Sequence, residues 1–391
     1  MNALPVTASL QRWRIAVLSR NFSTTGGGAE RYSISLVEQL AQRHEIHVFA
    51  QGFDHRVPNV TFHKISLPLK RPRWVNQIWF AVATWWATRC GFDVVHSHEN
   101  TWHGQVQTVH VLPIKHTLFH GLSGWRKGLR WLKVLSSPRL LVYLWMEHLR
   151  YRVLKNRRIV LTSSSLQAIM AKTYPQAVNA MRVITPGVNQ ITTKISALEK
   201  QAARESLKLP LSRQCILFVG NDYRKKGLPT LVEALRSLPE EVYLAVVGNA
   251  EQIPIFQDSV RQNDLGHRIF FLGNLKDVNL AYRAADYLAH PTLEDTFAMV
   301  VLEAMACGLP VVVSQAGYCG ISSLLTHQSN ALILQDPRDV NELVQSLRRL
   351  MLEPQLRESL SAKAKEFAQS YLWSELARQQ DQIYFEIAGK L

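Results

Sequence analysis

Residues 290–310 read HPTLEDTFAMVVLEAMACGLP, and this stretch decides the fold. The apolar residues just before it predict a short buried strand, which enters a polar loop with two acids and then an apolar helix that carries a third acid. Gly308 and Pro310 are signals that end a helix, and Val311–Val313 predicts the next strand. The stretch is therefore a strand–loop–helix–strand unit of a parallel sheet, which binds ligands at the carboxyl ends of its strands.

Strand and helix patterns alternate through the rest of the chain. Gln214–Val219 and Val242–Val247 predict strands in the second half, and Arg14–Ser19 and Glu45–Ala50 predict strands in the first half. A chain of 391 residues exceeds the usual size of one hydrophobic core. We therefore predict an α/β protein with two doubly wound, Rossmann-like domains, whose boundary lies near the turn at Thr185–Asn189.

Two acids of the opening stretch are candidates for ligand binding. Asp295 lies at the expected start of the helix, where free amides and the positive end of the helix dipole attract phosphate. Glu303 follows eight residues later, about 12 Å along the axis if all eight were helical. Carboxylates so spaced can hold hydroxyls at two ends of a sugar nucleotide. On spacing alone, a helix with an N-terminal acid and one solvated glutamate remains the simpler interpretation.

The same stretch resembles the signature of the family 4 glycosyltransferases, in which an acid, seven residues and a Glu precede Ala-Met-Ala-x-Gly-x-Pro. Asp295 and Glu303 occupy the two acid positions, although the family more often has Glu first and Gly where this chain has Ala298. The resemblance implies the GT-B fold, in which two Rossmann-like domains face each other across a cleft and the last helix crosses back to the first domain.

The resemblance divides the chain into three parts. Residues 1–190 would form an acceptor-binding domain with a basic, Trp-rich insertion. Residues 191–372 would form the domain that binds the sugar nucleotide, and residues 373–391 the helix that returns to the first domain.

The resemblance also implies roles for single residues of the second domain. Glu303 would hold the ribose hydroxyls, Asp295 would contact the donor sugar, and the amides of Ala298 and Met299 would face the sugar or phosphate. Leu275 would line the nucleotide base, although an ordinary turn explains its position nearly as well.

Lys225 and Lys226 lie on the loop after the predicted strand Gln214–Val219. Adjacent lysines at a strand end can neutralise a diphosphate, which gathers negative charge as the sugar leaves. The family pattern here is Gly-Arg, a short spacer and Lys-Gly, and Asn221 replaces that Arg. We expect both lysines to bind the diphosphate, and the alternative is a solvated basic turn.

In the first domain, Gly27 and Gly28 belong to a glycine-rich loop before the first helix, where a ligand can approach closely. A plain tight turn is the alternative, and the loop lacks the dinucleotide fingerprint Gly-x-Gly-x-x-Gly, which disfavours a dehydrogenase. The resemblance places such a loop opposite the donor phosphates.

The resemblance also places a strand-end histidine near the donor sugar, and His110 matches that position. We therefore take His110, Asp295 and Lys226 as the catalytic residues.

We expect neither a metal nor a cofactor. The sugar nucleotide, expected to be a UDP-sugar, would be a substrate and not a cofactor. The four cysteines are far apart and form no Cys-x-x-Cys, so they predict neither a disulfide framework nor a zinc site. Residues 96–99 (His-Ser-His-Glu) resemble a metal cluster, but no further ligand pattern accompanies them, and polar cleft residues are the favoured interpretation. GT-B enzymes replace the metal by lysines and helix dipoles.

Basic and aromatic residues are concentrated between Lys115 and Arg158, where eleven basic residues accompany one acid; the whole chain carries a net charge of +15. Such a mixture suits the face of an anionic bilayer. A basic solvated surface is the alternative, and nucleic-acid binding is the least favoured interpretation. The residues expected to contact the membrane are Arg126, Lys127, Arg130, Trp131 and Lys133.

These features and the resemblance together predict a glycosyltransferase that moves a hexose from a UDP-sugar, with UDP-glucose favoured, to a lipid-linked saccharide such as the lipopolysaccharide inner core. Retention is implied by the resemblance alone. We expect a cytoplasmic protein, peripheral on the inner face of the cell membrane, because no apolar run can span a bilayer and residues 1–14 lack a signal-peptide pattern. A sugar-nucleotide epimerase of the same fold and a non-enzymatic basic module that binds membrane or nucleic acid remain alternatives. The donor sugar, the linkage and the oligomeric state stay open.

Overall fold

The computed structural model describes residues 12–23, 26–69, 71–190, 195–262 and 264–389. The chain divides into two compact units. Unit 1 is formed by Met1–Thr162, Leu166–Ile184 and Trp373–Leu391, and unit 2 by Ser163–Ser165 and Thr185–Leu372.

Unit 1 is an α/β layer structure. Its strands are β1 (Arg14–Leu18), β2 (Asn21–Phe22), β3 (Glu45–Ala50), β4 (Gly52–Phe53), β5 (Val60–Lys64), β6 (Val94–Ser97), β7 (Val106–Val109), β8 (Arg158–Leu161) and β9 (Met181–Val183). Its first helices are α1 (Gly28–Leu40), α2 (Arg73–Thr88), α3 (Ile114–Phe119), α4 (Gly124–Leu135), α5 (Pro138–Arg150) and α6 (Ser164–Thr173). Seven strands form one parallel sheet in the order β5-β3-β1-β6-β7-β8-β9, and β2 pairs separately with β4.

The sheet of unit 1 is buried on both faces, as parallel sheets are. Residues 15–18 of β1 are all buried, and β1 pairs in register with β3 on one side and β6 on the other. Because β6 and β7 are neighbours at the centre, the residues that follow them meet at one edge of the sheet. This carboxyl edge of unit 1 holds one candidate site.

Unit 2 repeats the architecture with a six-stranded sheet. Its strands are β10 (Gln214–Val219), β11 (Val242–Val247), β12 (Ile269–Gly273), β13 (Tyr287–His290), β14 (Val311–Ser314) and β15 (Leu332–Leu334). Its helices are α7 (Ala197–Ser206), α8 (Leu228–Arg236), α9 (Ile253–Gln262), α10 (Asn279–Ala284), α11 (Met299–Ala306), α12 (Val340–Leu352) and α13 (Pro354–Gln369). The order β12-β11-β10-β13-β14-β15 is parallel throughout, and β10 and β13 lie side by side at the centre.

The last helix, α14 (Trp373–Ala388), returns to unit 1 and packs against α1 and β6. Trp373 is buried edge-on against Tyr32 of α1, with ring centroids 5.0 Å apart. The prediction of two Rossmann-like domains with a returning C-terminal helix is confirmed. None of the helices in the described ranges is long and apolar enough to cross a bilayer.

One helix escaped the sequence prediction. Residues 190–203 are polar and show no apolar periodicity that predicts a helix, yet α7 begins at Ala197 and packs against α10. A capping box begins α7: Ser196 Oγ accepts from the Glu199 amide, and the Glu199 carboxylate accepts from the Ser196 amide. The Ser-x-x-Glu spacing was a visible signal for this helix.

Candidate functional site

At the carboxyl edge of unit 2, the loop after β10 is joined to the loop after β13. The Leu293 amide donates to the Lys225 carbonyl at 2.7 Å, and Thr292 Oγ1 donates to the same oxygen at 3.2 Å. Gly227 allows this contact, because it has φ +82° and a Cβ there would lie 1.8 Å from the Pro291 carbonyl oxygen. Any side chain at residue 227 would push the two loops apart.

This joint brings two of the predicted catalytic residues into contact. Lys226 Nζ lies 2.6 Å from Asp295 Oδ2 and 3.0 Å from the Glu294 carbonyl oxygen. His290 Nε2 lies 3.3 Å from the same Asp295 oxygen. The lysine and the aspartate thus form one partly buried ion pair.

The charge state of this cluster follows from its contacts. Burial opposes ionisation of Asp295, but the hydrogen bond from His290 and the Lys226 ammonium outweigh it and hold the pKa of Asp295 well below its usual range. Burial lowers the pKa of His290, although Asp295 opposes that shift. A neutral His290 that donates from Nε2 leaves Nδ1 as an acceptor, and this buried atom has no partner among the described residues.

The start of α11 corrects one sequence prediction. The amides of Phe297 and Ala298 both donate to Asp295 Oδ1, at 3.2 and 2.8 Å. The Ala298 amide is therefore occupied by the side chain of Asp295 and does not face a ligand. Met299 and Val300 are the first two residues of α11, where amides lack an intrahelical acceptor, so they are the helix-end donors that a phosphate could use.

Ala298 also has an unusual backbone. It lies in the left-handed region, with φ +73° and ψ +70°, and it is buried. This conformation costs an L-residue about 1–2 kcal/mol and costs glycine little. The glycine that the family signature carries at this position is thereby explained.

The other residues of unit 2 that the sequence predicts to bind the sugar nucleotide make contacts outside the Lys226–Asp295 ion pair. Lys225 pairs with Glu294 at 3.2 Å, but both side chains are about half exposed, and such pairs contribute only about 0–1 kcal/mol. Glu303, on α11, accepts a hydrogen bond from Tyr282 Oη at 2.7 Å. Leu275 follows the carboxyl end of β12 and packs on the unit 2 core.

At the carboxyl edge of unit 1, the buried His96 and His98 and the partly buried His110 form one cluster. His98 Nδ1 lies 3.0 Å from His110 Nε2, and the two rings are stacked. His96 lies 2.6 Å from both the Thr108 hydroxyl and the Tyr384 hydroxyl. These contacts join the ends of β6 and β7 to α14 inside unit 1.

The histidines of this cluster are neutral at pH 7. Burial, with the nearby cations, lowers the pKa of His96 and of His110 to about 3 and that of His98 well below its usual value. A neutral imidazole of such low pKa is a poor base, but it can orient a hydroxyl by a hydrogen bond. The geometry therefore favours a positioning role for His110.

The glycine-rich loop of unit 1 starts a helix. Gly27 is the residue before α1, and Gly28 is its first residue. Gly27 has φ −80°, so no left-handed backbone requires glycine there. A Cβ at Gly27 would lie 3.2 Å from a carboxylate oxygen of Glu30, so this glycine lets the Glu30 side chain approach the start of α1.

The basic, Trp-rich segment forms α4 and α5, which end and begin around Ser136 and Ser137 as the sequence predicted. Every residue of α4 is described, and Val134 alone is buried. The residues predicted to contact a membrane all lie on α4: Arg126, Lys127, Arg130, Trp131 and Lys133. They are therefore accessible from solvent.

Sequence reasoning missed two contributors to the unit 2 site. His290 was visible as the last residue of a strand, and its place at a carboxyl end was the available signal. Tyr282 lies 21 positions before Glu303 on a different helix. No local pattern connects these two residues, so only the folded chain reveals the pair.

Two family models match the chain. Residues 26–190 match Glycosyltransferase Family 4, and residues 199–367 match Glycosyl transferases group 1.

Several curated proteins are similar in sequence. An uncharacterized glycosyltransferase of Methanocaldococcus jannaschii is 24% identical over 92% of this chain and 94% of its own length. A D-inositol 3-phosphate glycosyltransferase of Xylanimonas cellulosilytica is 31% identical over 60% of this chain and 59% of its own length. The lipopolysaccharide glucosyltransferase WaaG of Escherichia coli is 24% identical, over 55% and 58% respectively. The chain thus aligns with less than two thirds of the last two relatives.

Solved structures share the fold. A crystal structure of WaaG, a glycosyltransferase involved in lipopolysaccharide biosynthesis, has a TM-score of 0.82 at 20% identity and covers 95% of this chain and 99% of its own. HepE of Anabaena in complex with UDP-glucose has a TM-score of 0.75 at 18% identity, over 97% and 100% respectively. At these sequence identities the two structures show that the fold is shared and nothing further.

Proposed function

The chain is a glycosyltransferase of the GT-B type, and we propose that it transfers a hexose from a UDP-sugar, with UDP-glucose the favoured donor, to a lipid-linked saccharide such as the inner core of lipopolysaccharide. The likeness in sequence to a lipopolysaccharide glucosyltransferase supports the acceptor. The likeness in fold to a protein crystallised with UDP-glucose supports the donor.

The contact between Lys226 and Asp295 at the start of α11 is the observation that carries the proposal. A diphosphate that binds at the carboxyl edge of unit 2 competes with Asp295 for the Lys226 ammonium. Its oxygens accept hydrogen bonds from the amides of Met299 and Val300 at the start of α11. The bond between the anomeric carbon and the β-phosphate oxygen then breaks, with its electrons going to the phosphate. Lys226 and the helix end stabilise the charge that develops there.

We propose that the reaction proceeds with retention and without a divalent metal. The acceptor hydroxyl attacks the anomeric carbon from the face that the phosphate leaves, and its proton passes to the departing phosphate oxygen. Asp295 is fully ionised and already accepts from four donors, so it holds the lysine and does not act as an acid. Full turnover after dialysis against EDTA is the expected result, and recovery only with magnesium would contradict metal independence.

The test of the donor is a thermal-shift comparison of sugar nucleotides on the intact protein. A ligand that binds the native state raises the free energy of unfolding, by about 2.7 kcal/mol when its concentration is a hundred times its Kd. The midpoint temperature of unfolding rises with it. UDP and UDP-glucose are expected to give the largest shifts, and Glu303→Ala to abolish them. Incubation with donor alone separates a transferase, which forms at most free sugar and UDP, from an epimerase, which forms an isomeric sugar nucleotide.

We also propose peripheral docking of α4 on an anionic bilayer. Trp125, Leu129 and Leu132 recur at helical spacing on one face, and they are 71%, 55% and 63% exposed. Arg126, Arg130 and Lys133 recur on the adjoining face at the same spacing. An apolar stripe beside a basic stripe fits the boundary between acyl chains and anionic headgroups.

Four substitutions test this docking. Arg126, Lys127, Arg130 and Lys133 changed together to Ser are expected to weaken sedimentation with phosphatidylglycerol vesicles at least tenfold, since each cation near the surface contributes about 1 kcal/mol. Hydrolysis of the sugar nucleotide should be unchanged. A control with equal loss of charge replaces four exposed cations elsewhere: Arg236, Arg338, Lys363 and Arg378. Equal weakening in both variants would contradict a specific role for α4.

A further inference from the structure

Unit 1 contains a cavity of about 430 Å³ at the edge of its sheet opposite to the histidine cluster. The residues that line it include Gly104 and Gln105, which precede β7, and Asn156 and Arg157, which precede β8. The cavity therefore lies at the amino ends of these strands, whereas His98 and His110 follow the carboxyl ends. The intervening strand β7 has four residues, about 13 Å. The cavity is thus separate from the candidate active site.

The walls of the cavity are apolar and cationic. Trp85, Trp102 and Leu154 contribute apolar surface, and Arg89 and Arg157 contribute positive charge. No Asp or Glu lies among the residues that line it. His103, also in the wall, has its pKa lowered to about 4 by burial and by Arg157, so it adds no charge at pH 7.

Arg157 is the most informative wall residue. Its side chain is buried, at 4% exposure, and its two terminal nitrogens donate to the carbonyl oxygens of Leu149, Arg150 and Trp102 at 2.8, 3.0 and 2.7 Å. Its Nε has no partner among the described residues, and the charged groups that act on this guanidinium are the cations Arg150 and Arg152 and no carboxylate of the described chain. A buried charge without a counter-charge is costly. An anion in the cavity would supply the missing charge.

The mouth of the cavity continues into exposed aromatic surface. Trp85 is 45% exposed and Trp86, the next residue of α2, is 65% exposed, with the Arg89 guanidinium over its ring at 5.2 Å. Trp145 lies 6.2 Å from Trp102, ring to ring, and is also exposed. An occupant with an anionic group inside and an apolar part toward the mouth matches this distribution.

We propose that this cavity binds the phosphate of an anionic lipid, with the phosphate near Arg89 and Arg157 and the first part of the acyl chains against Trp85. The volume lies within the range of small-molecule sites, about 300–1,000 Å³. The site would hold a single lipid molecule, in addition to the bilayer contact of α4. It needs neither that contact nor the transferase activity, so it can be tested without membranes or donor.

The test is calorimetric titration with dihexanoyl phosphatidic acid below its micelle concentration. Wild-type protein is expected to bind one molecule saturably. Trp85→Ala and Arg89→Gln should each weaken binding at least fivefold, because both side chains line the cavity and are exposed enough to be replaced without loss of the fold. Trp79→Ala and Lys155→Gln are the matched controls: Trp79 lies on the same helix and is 41% exposed, neither residue lines the cavity, and less than a twofold change is expected.

Two further ligands identify what is recognised. Inorganic phosphate should bind at least tenfold more weakly than the short-chain lipid, and dihexanoyl phosphatidylcholine should also be weaker, since no acid in the cavity receives its choline. Equal affinity for inorganic phosphate would show a free-anion site and overturn the lipid assignment. Absence of saturable binding, or equal losses in the control variants, would overturn the site itself. Donor binding measured on the same variants shows whether the proposed transferase activity stands independently.

Discussion

The carboxyl edges of the two sheets are built from the same topology and carry opposite electrostatics. In unit 2 the central strands β10 and β13 end in charges that touch, Lys226 and Asp295. In unit 1 the central strands β6 and β7 end in histidines that burial keeps neutral. A charged pair can exchange one partner for a diphosphate, whereas neutral rings can only orient what lies beside them. The fold alone therefore does not determine the chemistry of each edge.

The difference also bears on what each edge contributes to transfer. Transition-state charge in glycosyl transfer develops on the leaving phosphate, and fixed cations and helix ends stabilise it. Unit 2 has both features at one point, at Lys226 and the Met299 amide. Unit 1 has a hydrogen-bonded aromatic and imidazole cluster, which suits the alignment of hydroxyls. We expect substitutions at the charged edge of unit 2 to reduce turnover more than substitutions in the histidine cluster of unit 1.

The largest expected effect comes from removing the partly buried ammonium of Lys226. Lys226→Ala should lower kcat/KM by about 10²–10³, the usual cost of one preorganised group at a developing charge. Lys225→Ala is the matched variant, because the side chain of the neighbouring lysine is more than half exposed and pairs with the similarly accessible Glu294. It should cost tenfold or less. Steady-state transfer assays measure both, and equal effects would show that general surface charge, and not the ion pair, carries the function.

The next effect concerns acid sensitivity. A histidine whose folded pKa is depressed contributes stability that is complete above its unfolded pKa of about 6.5 and is lost as the pH falls toward the folded value, here about 3. Between pH 7 and pH 5 each such histidine costs about 2 kcal/mol. His110→Asn removes one of these groups and should reduce the loss of stability in unit 1 by up to that amount.

Hydrogen exchange, corrected for its intrinsic pH dependence, measures this loss of stability separately for each strand. Amides of β6 and β7 should lose more protection at pH 5 than amides of β10 and β13. His267→Asn, at an exposed position of unit 2, is the control for removal of a histidine outside this cluster. Equal loss of protection in both units would remove the contrast between a neutral and a charged edge.

A smaller effect is expected at Glu303, the residue proposed to hold the ribose hydroxyls. Tyr282→Phe removes the hydrogen bond that Glu303 accepts at 2.7 Å, and a hydrogen bond to a charged group contributes about 1.5–3 kcal/mol. The KM for the donor should rise about tenfold while kcat changes little, because the contact acts on the nucleotide and not on the reacting bond. Tyr318→Phe, in the same unit, provides a control without a contact to Glu303. A fall in kcat at unchanged KM would assign Glu303 a different role.

The smallest effect tests the strained start of α11. Ala298→Gly relieves a left-handed alanine and is expected to stabilise unit 2 by roughly 0.5–1 kcal/mol, since the gain is partly offset by the added freedom of the unfolded chain. Ala304→Gly, inside the same helix, should destabilise it by about 1 kcal/mol or more. Urea unfolding followed at unit 2 amides distinguishes the two, and destabilisation by both would show that the backbone at residue 298 is not strained.

Much of the fold could be predicted because its signals are local. Strands such as β10 and β11 are continuous apolar runs, and their predicted and observed bounds coincide. The short strand β15 and the helix α7 were missed, since a three-residue apolar run and a polar amphipathic helix are weak patterns. The capping box of α7 was present in the sequence and shows that a specific local signal can outweigh composition.

The candidate site was predictable in its residues but not in its connections. Spacing and resemblance selected Lys226 and Asp295 separately, because each follows a different strand. Their ion pair depends on the joint at Gly227 and Pro291, which brings together loops that are 69 residues apart in sequence. The occupation of the Ala298 amide by Asp295 likewise depends on side-chain direction, which a sequence pattern does not contain.

The most direct test of the account is a crystal structure of the protein with UDP bound. We expect the pyrophosphate within hydrogen-bond distance of Lys226 Nζ and the Met299 amide, with the ribose at Glu303 and the histidines of unit 1 making no contact with phosphate. A pyrophosphate bound elsewhere, with Lys226 still paired to Asp295, would contradict the central claim.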